Sequence, residues 1–344
     1  MDTPPTALVI LNWNGKQLLE RFLPSVVRHT PGFVQLVVAD NASSDGSLEF
    51  LHRHYPEVKI ISMKRNLGFA GGYNEALKQL EADYFILLNS DIKVTPDWVD
   101  PLLGLMLADP GVAACQPKIL SLASRNGFEY AGASGGFIDI LGYPFCRGRI
   151  FQQLEEDHGQ YDHQAEVFWA SGAALCIRRE AFFRAGGFDE RFFAHMEEVD
   201  LCWRLLHLGY RNIACPRSVV YHLGGGSLPA SNPRKTFLNF RNSLFALAKN
   251  LPAHYFYPVF IARLALDWLA AVKFFFGGKW GDALAVFRAQ GGFFRYFRQM
   301  RAQSRGVPGS LPPQMYRGSI VMDYYLRGVR RFSDLSFKAS IARR

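Results

Sequence analysis

Short apolar runs alternate with segments of helical periodicity through the first 118 residues, and this alternation is the strongest constraint on the fold. "ALVILN" (7–12), "VQLVVAD" (34–40), "VKIIS" (58–62), "YFILLN" (84–89) and "GVAACQPK" (111–118) read as strands. Their apolar character is nearly continuous, as in parallel strands buried on both faces. Helices are expected near 15–29, 46–55, 72–81 and 96–108. For the last, Thr95 is the expected N-cap and Pro96 the first helical residue. A β-α-β-α series of this kind predicts an α/β fold with an open, doubly wound, mostly parallel sheet. From 119 to 230 the chain is rich in glycine and aromatics and the alternation fades, although "VFWASGAALCIRR" (167–179) still reads as one strand. Helices are expected over about 197–208 and 234–250.

Composition narrows the setting. With 344 residues, 49% of them hydrophobic, the chain can bury a large core. Its five cysteines are scattered without a Cys-x-x-Cys pair, which argues against a zinc site or a disulfide framework and fits a reducing compartment. "MDTPPTALVILNWNG" has no basic stretch leading an apolar one, so no signal peptide is expected. The net charge of +9 is uneven: residues 273–344 hold 14 basic and 3 acidic residues, a net +11, leaving −2 for the rest. Either nucleic acid or an anionic membrane surface could take such a tail.

In a doubly wound sheet, ligands bind beyond the carboxyl ends of the strands. The polar clusters fall there: "LNWNG", "DNASSDGS" (40–47), "RNLGFAGGYN" (65–74) and "NSD" (89–91). One such cluster is an ordinary turn, but four at successive strand ends suggest a nucleotide diphosphate. Asp40 could accept from a base or ribose. Gly68, Gly71 and Gly72, at a helix entry, would let backbone approach phosphate. Asp91, alone at the end of an apolar strand, suits a hard divalent cation whose other ligands are diphosphate oxygens and water. The glycine-rich loop lacks the spacing of a Walker lysine motif, and the first strand ends in Asn-Trp-Asn-Gly and not in the Gly-x-Gly-x-x-Gly of dinucleotide oxidoreductases.

In order, "VILNWNG", "DNASSDGS", "NLGFAGGYN", "LLNSD", "SGAALCIRREAF", "GGFDERFFAHMEEVDLCWRLLHLGY" and "VYHLGGGS" resemble family-2 glycosyltransferases of the GT-A fold, the rhamnosyltransferase-like enzymes of bacterial surface polysaccharide in particular. The resemblance covers about residues 6–250. It implies a 1–250 catalytic domain, with a nucleotide-binding half (1–118) and an acceptor half (119–250), followed by a basic, apolar, helical extension (251–344). The implied reaction is an inverting transfer from a nucleotide-sugar to an acceptor hydroxyl, on a lipid-linked sugar or growing glycan, with Mg²⁺ or Mn²⁺. The implied place is peripheral, on the cytoplasmic membrane face, with no nucleic acid as partner. By position, Asn12, Asn14, Asp40, Asn66, Gly68, Asn74, Asn89 and Asp91 would line the nucleotide-sugar site. Asn89 replaces the first aspartate of the family's Asp-x-Asp metal motif. Asp91 and His222 would be metal or diphosphate ligands. A nucleotidyltransferase and a non-catalytic basic membrane-binding protein are the competing readings. A nucleotidyltransferase would open with a glycine-rich loop where "NWNG" stands.

"FFAHMEEVDLCWRL" (192–205) crowds Glu197, Glu198 and Asp200 among apolar residues. Inverting displacement needs one base. Glu198 occupies the family's base position, with glutamate where aspartate is commoner. Glu197 is the alternative base or its support. Helical spacing puts Asp200 four residues before Arg204, within ion-pair reach, as a supporting set. The helix start favours ionised acids. Trp169, before "SGAALCIRR", could stack on an acceptor sugar or belong to the core.

Further on, "YFYPVFIARLALDWLAAVKFFFGGKW" (255–280) is apolar but interrupted by Arg263, Asp267 and Lys273 on one side of a helical wheel, with Arg263 and Asp267 spaced to pair. No run reaches the length of a membrane span. A helix in the membrane interface fits, with Trp268 and Trp280 as anchors and the basic tail on anionic lipid. A bundle over the sheet or a dimer interface is the alternative.

Overall fold

The computed structural model describes residues 4–124, 126–224 and 232–337. The first half follows the alternation: β1 (Thr6–Asn12), α1 (Lys16–His29), β2 (Val34–Asp40), α2 (Ser47–His54), β3 (Lys59–Ser62), α3 (Gly68–Leu77), β4 (Tyr84–Asn89), β5 (Ile92–Val94), α4 (Asp100–Ala108) and β6 (Val112–Ser121). Strands β3-β2-β1-β4 lie side by side and parallel. Both faces of this sheet are covered. Ala7, Val9, Phe85 and Leu87 enter one core, while Leu8, Ile10, Ile86 and Leu88 enter the other. Successive strand side chains point to opposite faces, so strands buried on both sides must be apolar at every position.

Two expectations fail locally. Helix α4 starts at Asp100 with Pro101 in its first turn, not at Thr95. Asp97 has φ +55, which breaks the helix, and Thr95 Oγ1 instead donates to Val219 O at 2.7 Å. The single strand expected over 167–179 is two: β11 (Ala165–Val167) and β12 (Ala174–Arg178). Between them Ser171 turns the chain, its N–H donating to Gln116 Oε1 and its hydroxyl to Ala131 O.

The middle of the chain adds a small antiparallel meander, β7 (Gly136–Ile138), β8 (Pro144–Cys146), β9 (Arg149–Ile150) and β10 (Gln153–Leu154). After β12 come α5 (Arg179–Arg184), α6 (Glu197–His207) and β13 (Arg211–His222). Strand β12 runs antiparallel between β4 and β6. Strand β13 lies parallel to β6, with β11 antiparallel on its other edge, and its last residues pair antiparallel with β5.

Four helices follow: α7 (Pro233–Asn250), α8 (Ala253–Phe276), α9 (Trp280–Gln303) and α10 (Ile320–Tyr325). They share the larger core: Leu244, Phe256, Phe293, Met300 and Ile320 are buried in the same cluster as the sheet residues. All five cysteines are buried and unpaired.

Helix α8 is turned inside out. Arg263 and Asp267 pair as expected, at 2.8 Å, but the pair faces inward. Arg263 donates to Leu141 O at 3.0 Å, and Tyr143 Oη lies 3.3 Å from Asp267. Of the three charges only Lys273 is exposed. No described helix is long and apolar enough to cross a membrane.

Candidate active site

The loops after β1 and β2 interlock. Asn12 Nδ2 donates to Asp40 Oδ1 at 3.0 Å, and the other Asp40 oxygen accepts the Ser43 N–H at 2.9 Å. Asn14 Oδ1 accepts the Ser44 N–H at 2.7 Å. Asn14 itself has φ +50, a left-handed conformation that asparagine tolerates. Gly15 must lack a side chain, since a Cβ would lie 2.5 Å from Asn12 Oδ1. That oxygen is buried and without a partner among the described residues. Trp13 stands 55% exposed between the two asparagines, an open aromatic face at the strand ends.

The glycine-rich segment has a different task from the one expected. Gly68 has φ +73, and a Cβ there would lie 2.6 Å from Phe193 O. The first free N–H groups of α3, on Phe69 and Ala70, already donate to that carbonyl. The helix end therefore holds the acidic loop and not a phosphate, and Gly68 makes room for it. Asn74 is likewise committed: its amide accepts from Phe188 N and donates to Phe188 O and Glu190. Asn66 accepts from Asn41 and from Gly68 N, and its own NH₂ has no partner among the described residues. Trp169 is 4% exposed, and its Nε1 donates to Phe137 O at 2.9 Å. Gly136 packs so closely on its ring that a Cβ would come within 2.0 Å, so Trp169 is core and offers no face to a sugar.

Tertiary pairing supplies what spacing could not. Because β5 pairs with the end of β13, Asp91 and His222 meet across 131 residues, with Oδ1 and Nε2 3.0 Å apart. The other ring nitrogen, Nδ1, lies 3.2 Å from Glu129 Oε2, too poorly aligned for a full hydrogen bond. Burial alone would lower the His222 pKa, but the two carboxylates outweigh it and push it up to about 9. Glu129 was not singled out in the sequence. Its one legible trace is Gly224: a Cβ there would lie 2.6 Å from Glu129 Oε1, and φ is +72. The rest of that motif, 225–227, lies outside the described residues.

Donors 3.0 Å apart are spaced as neighbouring ligands of an octahedral ion with bonds of about 2.1 Å. Among the described residues no three acidic, histidine or cysteine side chains close around one ion, so further ligands would have to be diphosphate and water. Asp91 and His222 fit such an ion once it displaces the proton that His222 Nε2 shares with Asp91.

The acidic helix is entered through a strained loop. Phe193, His195 and Met196 all have φ between +64 and +70. Non-glycine residues reach that region at a cost and need support from around them. Asn242 of α7 supplies it, donating to the carbonyls of Phe192, Ala194 and His195 at 2.8–2.9 Å. Arg241 adds a bond to Arg191 O at 2.9 Å, so it braces this loop.

The three acids then separate. Asp200 is fully buried, pairs with Arg204 and Lys249 at 2.8 Å each, and accepts from Asn250. Burial alone would raise its pKa; the two cations win and hold it below the ordinary value. Among the described residues Glu197 and Glu198 have no such cation, and each keeps one buried oxygen without a partner. Burial pushes both pKa values up, furthest for Glu197, which also feels the Glu198 charge. The helix start does not decide their ionisation, because desolvation outweighs the dipole. Glu198 stands beside Gly172, whose Cβ position is 3.7 Å from the Glu198 Cβ. The next residue, Ala173, accepts the Asn89 N–H at 2.9 Å. The acid helix and the Asn89–Asp91 turn are thereby held to one strand end.

Residues 7–164 match the glycosyl transferase family 2 model. An N-acetylglucosaminyl-diphospho-decaprenol L-rhamnosyltransferase of Mycobacterium tuberculosis is 32% identical over 233 residues, covering 62% of this chain and 75% of that protein. This chain is a family-2 glycosyltransferase. A pre-mycofactocin glycosyltransferase of the same organism is 27% identical over 191 residues, 55% of this chain and 37% of that protein. The glycosyltransferase shares its GT-A fold with solved structures. Mannosyltransferase PcManGT from Pyrobaculum calidifontis, in complex with GDP-Man and Mn²⁺, aligns over 89% of this chain and 85% of its own, with TM-score 0.53 and 16% identity. GalNAc-T7 with UDP, GalNAc and Mn²⁺ aligns over 74% of this chain and 49% of its own, with TM-score 0.56 and 17% identity.

Proposed function

We propose that this glycosyltransferase moves a sugar, with inversion, from a nucleotide-diphosphate donor to a hydroxyl of a lipid-linked or polysaccharide acceptor in cell-surface glycan synthesis. The donor is dTDP-rhamnose or a UDP-sugar, and the enzyme works peripherally at the cytoplasmic membrane face. The name of the 32% identical relative, an N-acetylglucosaminyl-diphospho-decaprenol L-rhamnosyltransferase, supports this choice. The observation that carries the chemistry is Glu198: a carboxylate with a free buried oxygen, placed next to the strand end that bears Asp91.

Glu198 takes the proton of the acceptor hydroxyl as its oxygen attacks the sugar's anomeric carbon. The bond from that carbon to the diphosphate breaks, and the nucleoside diphosphate leaves with the electron pair. Burial raises the pKa of both, further for Glu197, which also feels the Glu198 charge, so Glu198 is the more readily ionised of the two. A bound Mg²⁺ or Mn²⁺, held by Asp91 and His222, would neutralise the leaving diphosphate. Asp40, Asn12, Asn14 and Asn66 shape the nucleotide side. A panel of dTDP-, UDP- and GDP-sugars with Mn²⁺ and a prenyl-diphosphate-sugar acceptor tests the reading, with nucleotide release as readout. Release with at least one donor is expected, and none with any would sink it.

Glu129 is the positioning residue for His222. A carboxylate within ion-pair reach of the far nitrogen, 3.2 Å here, favours the tautomer that leaves Nε2 to a metal and raises the ring's basicity. Glu129→Gln should weaken Mn²⁺ binding about 10- to 100-fold, measured by calorimetry with UDP present. Unchanged Mn²⁺ affinity would remove Glu129 from this role.

A further inference from the structure

The hairpin of α8 and α9 has its greasy side outward. Ile261 is 69% exposed, Leu269 65%, Phe276 82% and Trp280 68%, and Phe287 and Phe294 on α9 are exposed beside them. On α8 the exposed Tyr257, Ile261, Ala265, Trp268, Val272 and Phe276 recur every three or four positions opposite the buried Arg263–Asp267 pair, so one whole helix face is apolar. A monomer in water does not leave a surface of this extent bare without a partner.

The charges around it have one sign. Lys273, Lys279, Arg288, Arg295 and Arg298 are exposed along the hairpin. Its two acids, Asp267 and Asp282, are both buried, and Asp282 accepts from Thr236 at 2.6 Å. On α9, Phe287, Arg288, Phe294, Arg295 and Arg298 share the outer side at helical spacing, so long cationic side chains flank aromatic ones. A second copy of this chain is a poor occupant. A two-fold interface sets a patch against itself and would bring these arginines together with no exposed acid to meet them. A surface that takes in apolar side chains and offers dense negative charge is an anionic bilayer.

We propose that the outer face of the α8–α9 hairpin is the enzyme's membrane-docking surface, lying in the interface of an anionic bilayer without crossing it. The proposal rests on the lipid-linked acceptor reading only for its biological sense; the surface stands on its own geometry. The buried ion pair explains why the hairpin can afford it. Arg263 and Asp267 fix α8 to the meander turn at Leu141, so its apolar side is held outward when the protein docks. Helix α9 also packs on α7, which braces the Glu198 loop through Asn242, so docking sets the height of the active site above the lipid.

Co-sedimentation of the full chain with phosphatidylcholine vesicles, with and without phosphatidylglycerol, tests this. Binding should require phosphatidylglycerol and weaken with salt. An Ile261→Glu/Phe276→Glu variant should bind at least about tenfold more weakly. Arg295→Ala/Arg298→Ala should lose roughly 30-fold, the effect of two basic residues. Melting temperatures close to wild type check that both variants fold. Absence of wild-type binding to phosphatidylglycerol vesicles overturns the proposal. So does a dimer in analytical ultracentrifugation that Ile261→Glu dissolves while vesicle binding is nil. Vesicle binding without turnover of any nucleotide-sugar leaves the surface standing and fails only the proposed reaction. Turnover without vesicle binding does the reverse.

Discussion

Glu198→Gln should lower kcat by about two to four orders of magnitude, the usual contribution of a positioned base, while the protein stays folded. The fold should not suffer, because Glu198 makes no ion pair that glutamine would break. Its folded pKa is raised by burial. A raised acid is neutral and at ease at low pH, and its favourable contribution is lost as pH rises through the folded value. At neutral pH the glutamine variant is therefore expected to melt at or slightly above the wild-type temperature. The same shift sets a pH profile. The acid limb of kcat/KM should lie above the ordinary glutamate range of about 4.3, and the variant's residual activity should lack it. Activity within about threefold of wild type would exclude Glu198 as base. If Glu197→Gln abolishes turnover and Glu198→Gln does not, the two neighbours exchange roles.

Asp200→Ala, two positions away, should do the opposite and damage the fold first. Asp200 is the shared acceptor for Arg204, Lys249 and Asn250, and its removal leaves two cations without their main partner. Breaking a buried pair from one side costs about 3–5 kcal/mol, mostly the penalty of the stranded charge. Lys249 keeps Asp189 at 2.7 Å, which softens the loss. Urea unfolding should show the drop, and a change under about 1 kcal/mol would contradict it. The folded pKa of Asp200 is depressed. Its contribution is therefore present above the unfolded value of about 3.9 and is lost as pH falls through the folded one. The wild type should lose stability in acid, and the alanine variant should lose less over the same range.

These contrasts show how far sequence reaches. Strand and helix positions in the first half were legible because burial on both faces of a sheet leaves an unbroken apolar signal. The Asp200–Arg204 and Arg263–Asp267 pairs were legible because helical spacing is a local property. Roles that depend on what lies opposite were not. Gly68, Asn74 and Trp169 sit in motifs that suggest ligand contact, yet each is occupied by the protein itself: by Phe193, by Phe188 and by Gly136. Asn242 gave no signal, since its function is to meet three carbonyls of a loop nearly 50 residues away.

By itself, then, the sequence determined the alternating fold, the polar clusters at the strand ends that make the candidate site and the crowding of acids at 197–200. Those follow from periodicity and chain order. Only the tertiary structure decided which acid is paired and which is free, because the cations that take Asp200 come partly from another helix. It alone joined Asp91, His222 and Glu129, through the pairing of β5 with β13. It alone turned the charges of α8 inward and its apolar side outward. A helical wheel gives the angle between side chains, but which side meets the core depends on the surfaces the rest of the fold presents.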